Sequence, residues 1–214
     1  MDSFAQRHPG VSVAITESDT IRFTADDGAV AECHVPFPPL VLSGPAGALD
    51  ADPAAAARLI EDHVTAARTV GVLLVRLGGY AAGVFTGSPP RLTASKVGSR
   101  LVHGRSAAGG TSQHRFARRR EKQAAEALGS AADTAFAIFG RPGVKLDAVV
   151  LGGDRTAIAA LRDDPRLKAY LDRATDRFLT VPDPRLAVLR ETPRMFRAVR
   201  IRLVEPAPGP SAAP

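Results

Sequence analysis

The chain has 214 residues, of which 45% are hydrophobic and 23% are charged, a composition typical of a globular protein with one well-packed core. Its single cysteine, Cys33, excludes an internal disulfide and a thiolate zinc site, and the five scattered histidines lack metal-ligand spacing. Because no apolar run has membrane-spanning length and the first ten residues lack a secretory-signal pattern, we expect a cytoplasmic protein with no membrane association, no metal and no cofactor.

The beginning of the chain predicts a small β-rich region. Three segments between residues 11 and 35 alternate apolar and polar residues, and Asp26 to Gly28 form a hairpin turn signal. A connector rich in Pro, Gly and Ala follows, and Asp52 and Pro53 then suit the start of a helix that ends near Thr69. The predicted domains are a small N-terminal segment with its connector over residues 1–52, a second domain over 53–204 and a disordered tail over 205–214.

The second domain has the sequence pattern of a mixed sheet. Two strands meet at Gly78-Gly79, a third follows Pro89-Pro90, and a long helix is expected over about Ser112–Phe139. A buried strand then leads to Asp154, a helix N-cap, and a further strand, a helix interrupted by Pro193 and a final strand follow. This order predicts an α/β (α+β) fold with a ribonuclease-H-like mixed β-sheet and flanking helices, preceded by a small N-terminal β subdomain.

The charge is concentrated in the middle of the chain. The net charge is +6, yet residues 63–120 carry ten basic residues and no Asp or Glu. An even distribution of the 22 acidic residues would place about 6 of them in this window. A surface with one sign of charge indicates a polyanionic partner. The basic residues of the window are Arg68, Arg76, Arg91, Lys96, Arg100, Arg105, Arg115, Arg118, Arg119 and Arg120.

Within this window, the segment HGRSAAGGTSQHRFARRREK (residues 103–122) places a glycine pair directly before a cationic helix. Glycines allow a backbone to approach a partner closely. The spacing i, i+3, i+4, i+7 predicts one cationic stripe, which an anion would have to neutralise, so we expect contact with RNA or phosphate. The stripe consists of Arg115, Arg118, Arg119 and Lys122, and the opposite, core-facing side of Ala124, Ala127, Leu128, Ala131, Ala135, Ile138 and Phe139.

This segment resembles the middle domain of the class-1 translation release factors of archaea and eukaryotes. In those proteins an HGR motif and a GGQ loop lead into a helix that opens with RFAR-x-RE. The resemblance rests on His103-Gly104-Arg105, Gly109-Gly110 and residues 115–121, and extends less specifically over residues 70–204. The chain is most similar to the release-factor-like ribosome-rescue branch, the VLRF peptidyl-tRNA hydrolases, including their actinobacterial members.

The loop differs from the release-factor pattern. Thr111 stands where those factors have glutamine, the nearest glutamine is Gln113, and the extra residues Ser-Ala-Ala separate HGR from the glycine pair. The rescue branch is similar in this respect, because its loop varies in length and its glutamine is displaced from strict GGQ. The match therefore favours ribosome rescue over termination.

The resemblance implies a monomeric peptidyl-tRNA hydrolase that releases stalled nascent chains from the large ribosomal subunit. Gln113 would orient a water or donate to a developing oxyanion, and Gly109 and Gly110 would shape the loop. Thr111 and Ser112 are further donors, although Ser112 is equally suited to be a helix N-cap. RNA contacts are expected from Lys96, Arg100, His103, Arg105, His114, Arg115, Arg118, Arg119, Arg120 and Lys122.

Three alternatives stay open on the sequence. The first is a non-catalytic ribosome- or RNA-binding factor, and the second is cleavage of the tRNA near its 3′ CCA end instead of the ester. The third, a metal-dependent nuclease of the same topology, is disfavoured because the first strands of the second domain lack the carboxylates that hold Mg²⁺. The turn LGGD at residues 151–154 lacks the other residues of a nucleotide loop and is expected to be structural.

Overall fold

A computed structural model describes residues 2–40, 52–76, 79–99 and 112–205, with the backbone alone at residues 2, 3 and 112–120. The chain divides into two compact units. The first comprises residues 1–66 and 197–214, and the second comprises residues 67–196.

The described elements of the first unit are α1 (Asp2–Arg7), β1 (Ser12–Glu17), β2 (Thr20–Thr24), β3 (Val30–His34), α2 (Pro53–Thr65) and β9 (Arg200–Val204). Its strands form an antiparallel four-stranded sheet of order β1-β2-β3-β9. Alternate residues of its central strands, among them Ile21, Phe23 and Cys33, are buried, and Ile60 of helix α2 joins the same core. Burial raises the pKa of the Cys33 thiol, so this side chain is a small apolar core residue rather than a reactive nucleophile.

The described elements of the second unit are β4 (Arg68–Arg76), β5 (Gly79–Gly87), β6 (Arg91–Ser99), α3 (Ser112–Phe139), β7 (Ala148–Gly153), α4 (Arg155–Leu161), α5 (Lys168–Leu171), β8 (Ala174–Leu179) and α6 (Leu186–Phe196). Its strands form a five-stranded mixed sheet of order β6-β5-β4-β7-β8. The strands β4, β5 and β6 are antiparallel neighbours, β7 runs parallel to β4, and β8 runs parallel to β7. This arrangement confirms the predicted ribonuclease-H-like mixed sheet.

Helices α3 and α6 cover opposite faces of this sheet. Gly71 and Gly83 lie on opposite faces of the sheet. Gly83 pairs with Val72, the neighbour of Gly71 on β4, and consecutive residues of a strand face opposite sides. A Cβ at Gly71 would come within 3.1 Å of the Phe139 ring of α3, whereas a Cβ at Gly83 would come within 2.9 Å of Leu189 of α6. The glycines therefore let both helices pack closely on the strands.

The structure differs from the sequence prediction at several boundaries. Helix α2 ends at Thr65 rather than near Thr69, because β4 already begins at Arg68. Helix α6 is not interrupted by Pro193: the Thr192 hydroxyl donates to the Leu189 carbonyl at 2.7 Å, which is the carbonyl that an amide at position 193 would have bonded. The short helices α1 and α5 were not predicted.

The division of the chain also differs from the predicted boundary at residue 53. Helix α2 belongs to the first unit, and β9 returns to that unit by pairing along its whole length with β3. Alternation in a sequence predicts a strand but does not identify its partner, which is why the closing strand was assigned to the second domain. Residues 206–214 of the predicted tail lie outside the described residues. Within the described ranges, no helix is long and apolar enough to cross a membrane.

Candidate functional site

The predicted glycine loop connects two well-defined elements. Strand β6 ends at Ser99, which pairs with Gly79 beside the end of β4, and helix α3 begins at Ser112. The loop itself lies outside the described residues, so the roles assigned to its members stay predictions. These members are Arg100, His103, Arg105, Gly109, Gly110 and Thr111.

The first turns of α3 carry most of the remaining predicted residues. The helix is continuous from Ser112 to Phe139, as the sequence predicted. Helical geometry at 100° per residue places the Cα atoms of the four stripe positions within an arc of about 100°. The structure describes only the backbone at Ser112, Gln113, His114, Arg115, Arg118, Arg119 and Arg120.

The burial of α3 changes abruptly along its length. Five of the six residues from 121 to 126 are exposed, including Lys122, and Gln123 is half-buried. Burial begins at Ala127 and continues on the same side to Phe139. The prediction that Ala124 packs against the core was wrong. It lies on the same side of the helix as the buried residues, but it is exposed because the packing surface begins only at Ala127. The residues before Ala127 span about 22 Å of helix at 1.5 Å per residue.

Lys96 lies on the face of the sheet that carries α3. It pairs with Ala82 on β5 and shares its face with Ala94, two residues earlier on β6. Ala94 and Ala82 belong to the same core cluster as Ala131 and Ala135 of α3. The exposed Lys96 side chain is therefore on the same side of the sheet as the cationic helix.

The C-terminal half of α3 is anchored by Arg166, which no motif in the sequence marks. This arginine donates to Asp133 of α3 at 2.9 Å and to Asp164 at 2.7 Å. Its guanidinium also lies 5.8 Å from the centre of the Phe136 ring. The hydrogen bonds from Arg166 hold the pKa of Asp164 below its ordinary value, and the two carboxylates raise the pKa of Arg166 further. Neither Asp133 nor Asp164 has a spacing to Arg166 that would reveal this cluster in the sequence.

The LGGD turn is structural, as predicted. Gly153 has φ of +100°, and a Cβ there would overlap the Val75 carbonyl oxygen. The Asp154 carboxylate accepts hydrogen bonds from the amides of Thr156 at 2.7 Å and Ala157 at 3.2 Å. The amides that could have bound a phosphate at the start of α4 are thus already occupied.

A cavity at the end of the sheet was also missed by sequence reasoning. It has a volume of about 420 Å³ and lies on the α6 face, beside the ends of β4 and β8. Arg76 is fixed there by donating to the Val181 carbonyl at 2.8 Å. In the sequence Arg76 is only one of ten cations in the acid-free window, so nothing marks it as a cavity residue. The lining residues are Arg76, Pro182, Asp183, Arg185 and Val188.

Within the part of the chain that the structure describes, no three His, Cys, Asp or Glu side chains are grouped to hold a metal ion. Strands β4, β5 and β6 contain no carboxylate residue at all. The described residues therefore give no ligand set for the metal-dependent nuclease hypothesis.

Two solved structures match this chain at low sequence identity. An archaeal translation termination factor, aRF1, is 16% identical with a TM-score of 0.44, and the match covers 81% of this chain and 51% of that one. The Vms1 mitochondrial localization core is 11% identical with a TM-score of 0.45, and the match covers 86% of this chain and 76% of that one. The chain thus spans about half the length of the termination factor. No curated protein matches the sequence.

The comparison with protein families is more specific. The model of the Actinobacteria/chloroflexi VLRF1 release factors matches residues 68–202, which is more than half of the chain. The match includes the whole sheet of the second unit, the glycine loop and α3, and it continues into β9. The chain therefore belongs to the Actinobacteria/chloroflexi VLRF1 release factor family.

Proposed function

We propose that this chain is a cytoplasmic ribosome-rescue factor that hydrolyses peptidyl-tRNA on the large ribosomal subunit and releases the stalled nascent chain. Membership of a release factor family supports a ribosome-associated function. The observation that carries the proposal is the continuous helix α3, which begins at Ser112, two residues after Gly110, and includes Gln113 in its first turn.

The chemistry requires positioning more than a strong base. In the hydrolysis, a water oxygen adds to the ester carbonyl carbon, the bond from that carbon to the tRNA ribose oxygen breaks, and the ribose oxygen takes a proton. The ester is an activated bond that the ribosome orients, so the protein has to place a water in line with it. The Gln113 amide is neutral and would orient this water or donate to the developing oxyanion. Gly109 and Gly110 would let the loop backbone approach the tRNA end without a side-chain clash.

The cations around the loop would neutralise RNA phosphates. Lys122 and Lys96 are exposed, and Lys96 lies on the α3 side of the sheet. The helix around Lys122 is not covered by the sheet, since burial begins only at Ala127. We propose that this part of α3, together with its first turns, contacts ribosomal or transfer RNA, and that the protein acts as a monomer.

The test is release of labelled peptide from stalled 50S–peptidyl-tRNA complexes under single-turnover conditions. Gln113→Ala should lower the release rate by about a hundredfold or more, as expected when an oxyanion donor or water-positioning group is lost. Gln6→Ala makes the same chemical change at an exposed position in the first unit and should release at the wild-type rate. Both variants should co-sediment with 50S subunits as the wild type does.

The displaced glutamine favours a second candidate, a ribosome-binding factor without release activity. The reason is Thr111, which stands at the position where the release factors have glutamine. Wild-type protein that binds 50S complexes but releases no peptide would support this candidate and overturn the first. Resolving the tRNA 3′ end in the same samples separates ester hydrolysis, which leaves the CCA end intact, from cleavage of the tRNA itself.

A further inference from the structure

The outer edge of β9 is an exposed strand edge with an apolar row. The strand is the last in its sheet, with β3 on one side and no strand paired to its other side among the described residues. All five of its residues are exposed. Three of them are large and apolar: Ile201 is 54% exposed, Leu203 50% and Val204 46%.

The pairing register shows why two of these side chains are unusual. Ile201 lies opposite Cys33 and Leu203 lies opposite Ala31, and both partners on β3 are buried in the core of the first unit. Directly paired residues share a face, so Ile201 and Leu203 lie on the core face of the sheet. The apolar face therefore continues one strand beyond the part that the first unit covers.

The opposite face of the same edge is cationic. Arg200 lies opposite His34 and Arg202 lies opposite Glu32. Glu32 is already bonded by Arg22 at 2.7 Å, whereas its distance to Arg202 is 3.7 Å and Arg202 is 73% exposed. The hydrogen bond from Arg22 is the main reason why the pKa of Glu32 lies below its ordinary value, and the charges of Arg22 and Arg202 lower this pKa further. Glu32 therefore faces two arginines, Arg22 and Arg202, and Arg200 and Arg202 give strand β9 a surplus of positive charge.

The two edges of this sheet are built differently. Strand β1, at the other edge, has an irregular register between Ile15 and Glu17, and such bulges are a common way to block unwanted strand pairing. Strand β9 pairs with β3 in an uninterrupted register and contains no proline or acidic residue. Its outer backbone N–H and C=O groups are thus presented in a regular row that another strand can extend.

We propose that the outer edge of β9 binds an extended segment of a protein partner by β-strand addition, and that this segment alternates acidic and apolar side chains. Backbone hydrogen bonds would supply much of the affinity. The apolar side chains would cover Ile201 and Leu203, and the acidic ones would pair with Arg200 and Arg202. A second copy of β9 fits less well, because antiparallel pairing would bring four arginines onto one face.

The experiment uses the full chain and fluorescein-labelled ten-residue peptides, with binding followed by fluorescence anisotropy. The first peptide alternates Val and Glu, the second alternates Val and Lys, and the third is the first with alternate backbone amides N-methylated. The Val-Glu peptide should bind saturably. The Val-Lys peptide should bind at least about tenfold more weakly, because like charges would face each other across the pair, and the N-methylated peptide should not bind.

Two variants test the assignment of the edge. Leu203→Lys places a charge in the apolar row and should weaken Val-Glu binding by about tenfold or more, as inward charges on edge strands oppose pairing. Arg200→Glu should shift the preference toward the Val-Lys peptide, and it introduces no like charge on β3 because its partner there is His34. The matched control is Val97→Lys, a change at an exposed apolar residue of β6. This variant should bind the Val-Glu peptide as tightly as the wild type and should have the same thermal midpoint.

Several results would overturn the proposal. Equal affinity for the Val-Glu and Val-Lys peptides, or binding of the N-methylated peptide, would exclude acidic strand addition. A wild-type dimer in sedimentation that Leu203→Lys dissociates, without peptide binding, would assign the edge to a second copy. RNA binding that Arg200→Glu weakens, again without peptide binding, would assign the face to RNA. None of these measurements depends on release activity.

Discussion

The two halves of helix α3 differ in what surrounds them. From Ala127 to Phe139 one side of the helix is buried on the sheet, and Arg166 ties this half to Asp133 and Asp164. From 121 to 126 five of the six residues are exposed, although the sequence continues its amphipathic pattern through Ala124. One helix thus combines a packed segment, whose residues determine stability, with an exposed segment over residues 121–126 that a partner can reach. Substitutions in the packed part should therefore change the free energy of unfolding, and substitutions in the part before Ala127 should change ribosome binding.

The largest effect on ribosome binding is expected from the cationic stripe. Changing Arg115, Arg118 and Arg119 to Glu should reduce co-sedimentation with large subunits by a hundredfold or more, because three phosphate contacts would become repulsive. Removal of three contacts should also make the negative slope of log affinity against log salt shallower by about 2.7. The measurement is a salt titration of 50S binding, with the thermal midpoint as a check of folding.

The control for this variant makes the same change of net charge elsewhere. Arg141, Arg162 and Arg190 are exposed residues of the second unit that lie off α3, and their reversal to Glu should leave most of the binding intact. Equal loss of binding in both triple variants would mean that net charge, rather than the stripe on α3, attracts the ribosome.

A core substitution should affect stability instead. Phe139 is 1% exposed and its ring lies 5.7 Å from that of Tyr170. Phe139→Ala should lower the free energy of unfolding by about 3–5 kcal/mol, as for other large aromatic-to-alanine changes in cores. Urea unfolding measures this effect. Ala124→Leu, in the exposed half, should change the free energy of unfolding by less than about 0.5 kcal/mol.

The glycine at the end of β7 should be the next most sensitive position. Gly153→Ala forces a side chain into a backbone with φ of +100° and against the Val75 carbonyl. We expect a loss of about 1–3 kcal/mol in the free energy of unfolding from the strained conformation alone. Gly129→Ala is the matched control, since a Cβ at this α3 position meets nothing within 4 Å, and it should be neutral or slightly stabilising.

The smallest effect on stability is expected from the ion pair between Arg166 and Asp164, and this effect should depend on pH. The folded-state pKa of Asp164 lies below the ordinary value of 3.8, so its ion pair with Arg166 stabilises the fold above that pH and is lost as the pH falls through the folded-state pKa. Asp164→Asn should therefore be less stable than the wild type at pH 7. The difference should shrink in acid unfolding experiments below about pH 3.8. A difference that does not change with pH would contradict the role given to the ion pair.

Elements with a strong local pattern were predictable from the sequence. The bounds of α3 followed from its 3.6-residue periodicity, and Asp154 was identified as a cap from its residue type and position before a helix. The exposure of Ala124 was not predictable in this way, because periodicity gives the side of a helix but not where its packing surface ends. The partner of β9 and the link from Arg166 to Asp133 depend on long-range contacts that leave no local spacing in the sequence.

The candidate site was predictable in its residue types but not in its three-dimensional arrangement. Motif spacing identified the glycine pair and the arginines, and the structure adds that α3 is continuous through Gln113 and that Lys96 shares its side of the sheet. The contribution of Arg76 to a cavity on the opposite face required the tertiary structure, since Val181 and Arg76 are 105 residues apart.

The most direct test of the central claim is to locate the start of α3 on the ribosome. Ser112→Cys leaves Gln113 in place, and the native Cys33 is buried with a raised pKa, so a tethered iron chelate can be attached selectively at position 112. Hydroxyl radicals from this position should cleave the tRNA CCA end and the rRNA of the peptidyl transferase centre. The same chelate at exposed Ala160→Cys on α4 should not. Identical cleavage from both positions, or none from position 112 on a bound complex, would contradict the proposal that this helix start enters the catalytic centre of the ribosome.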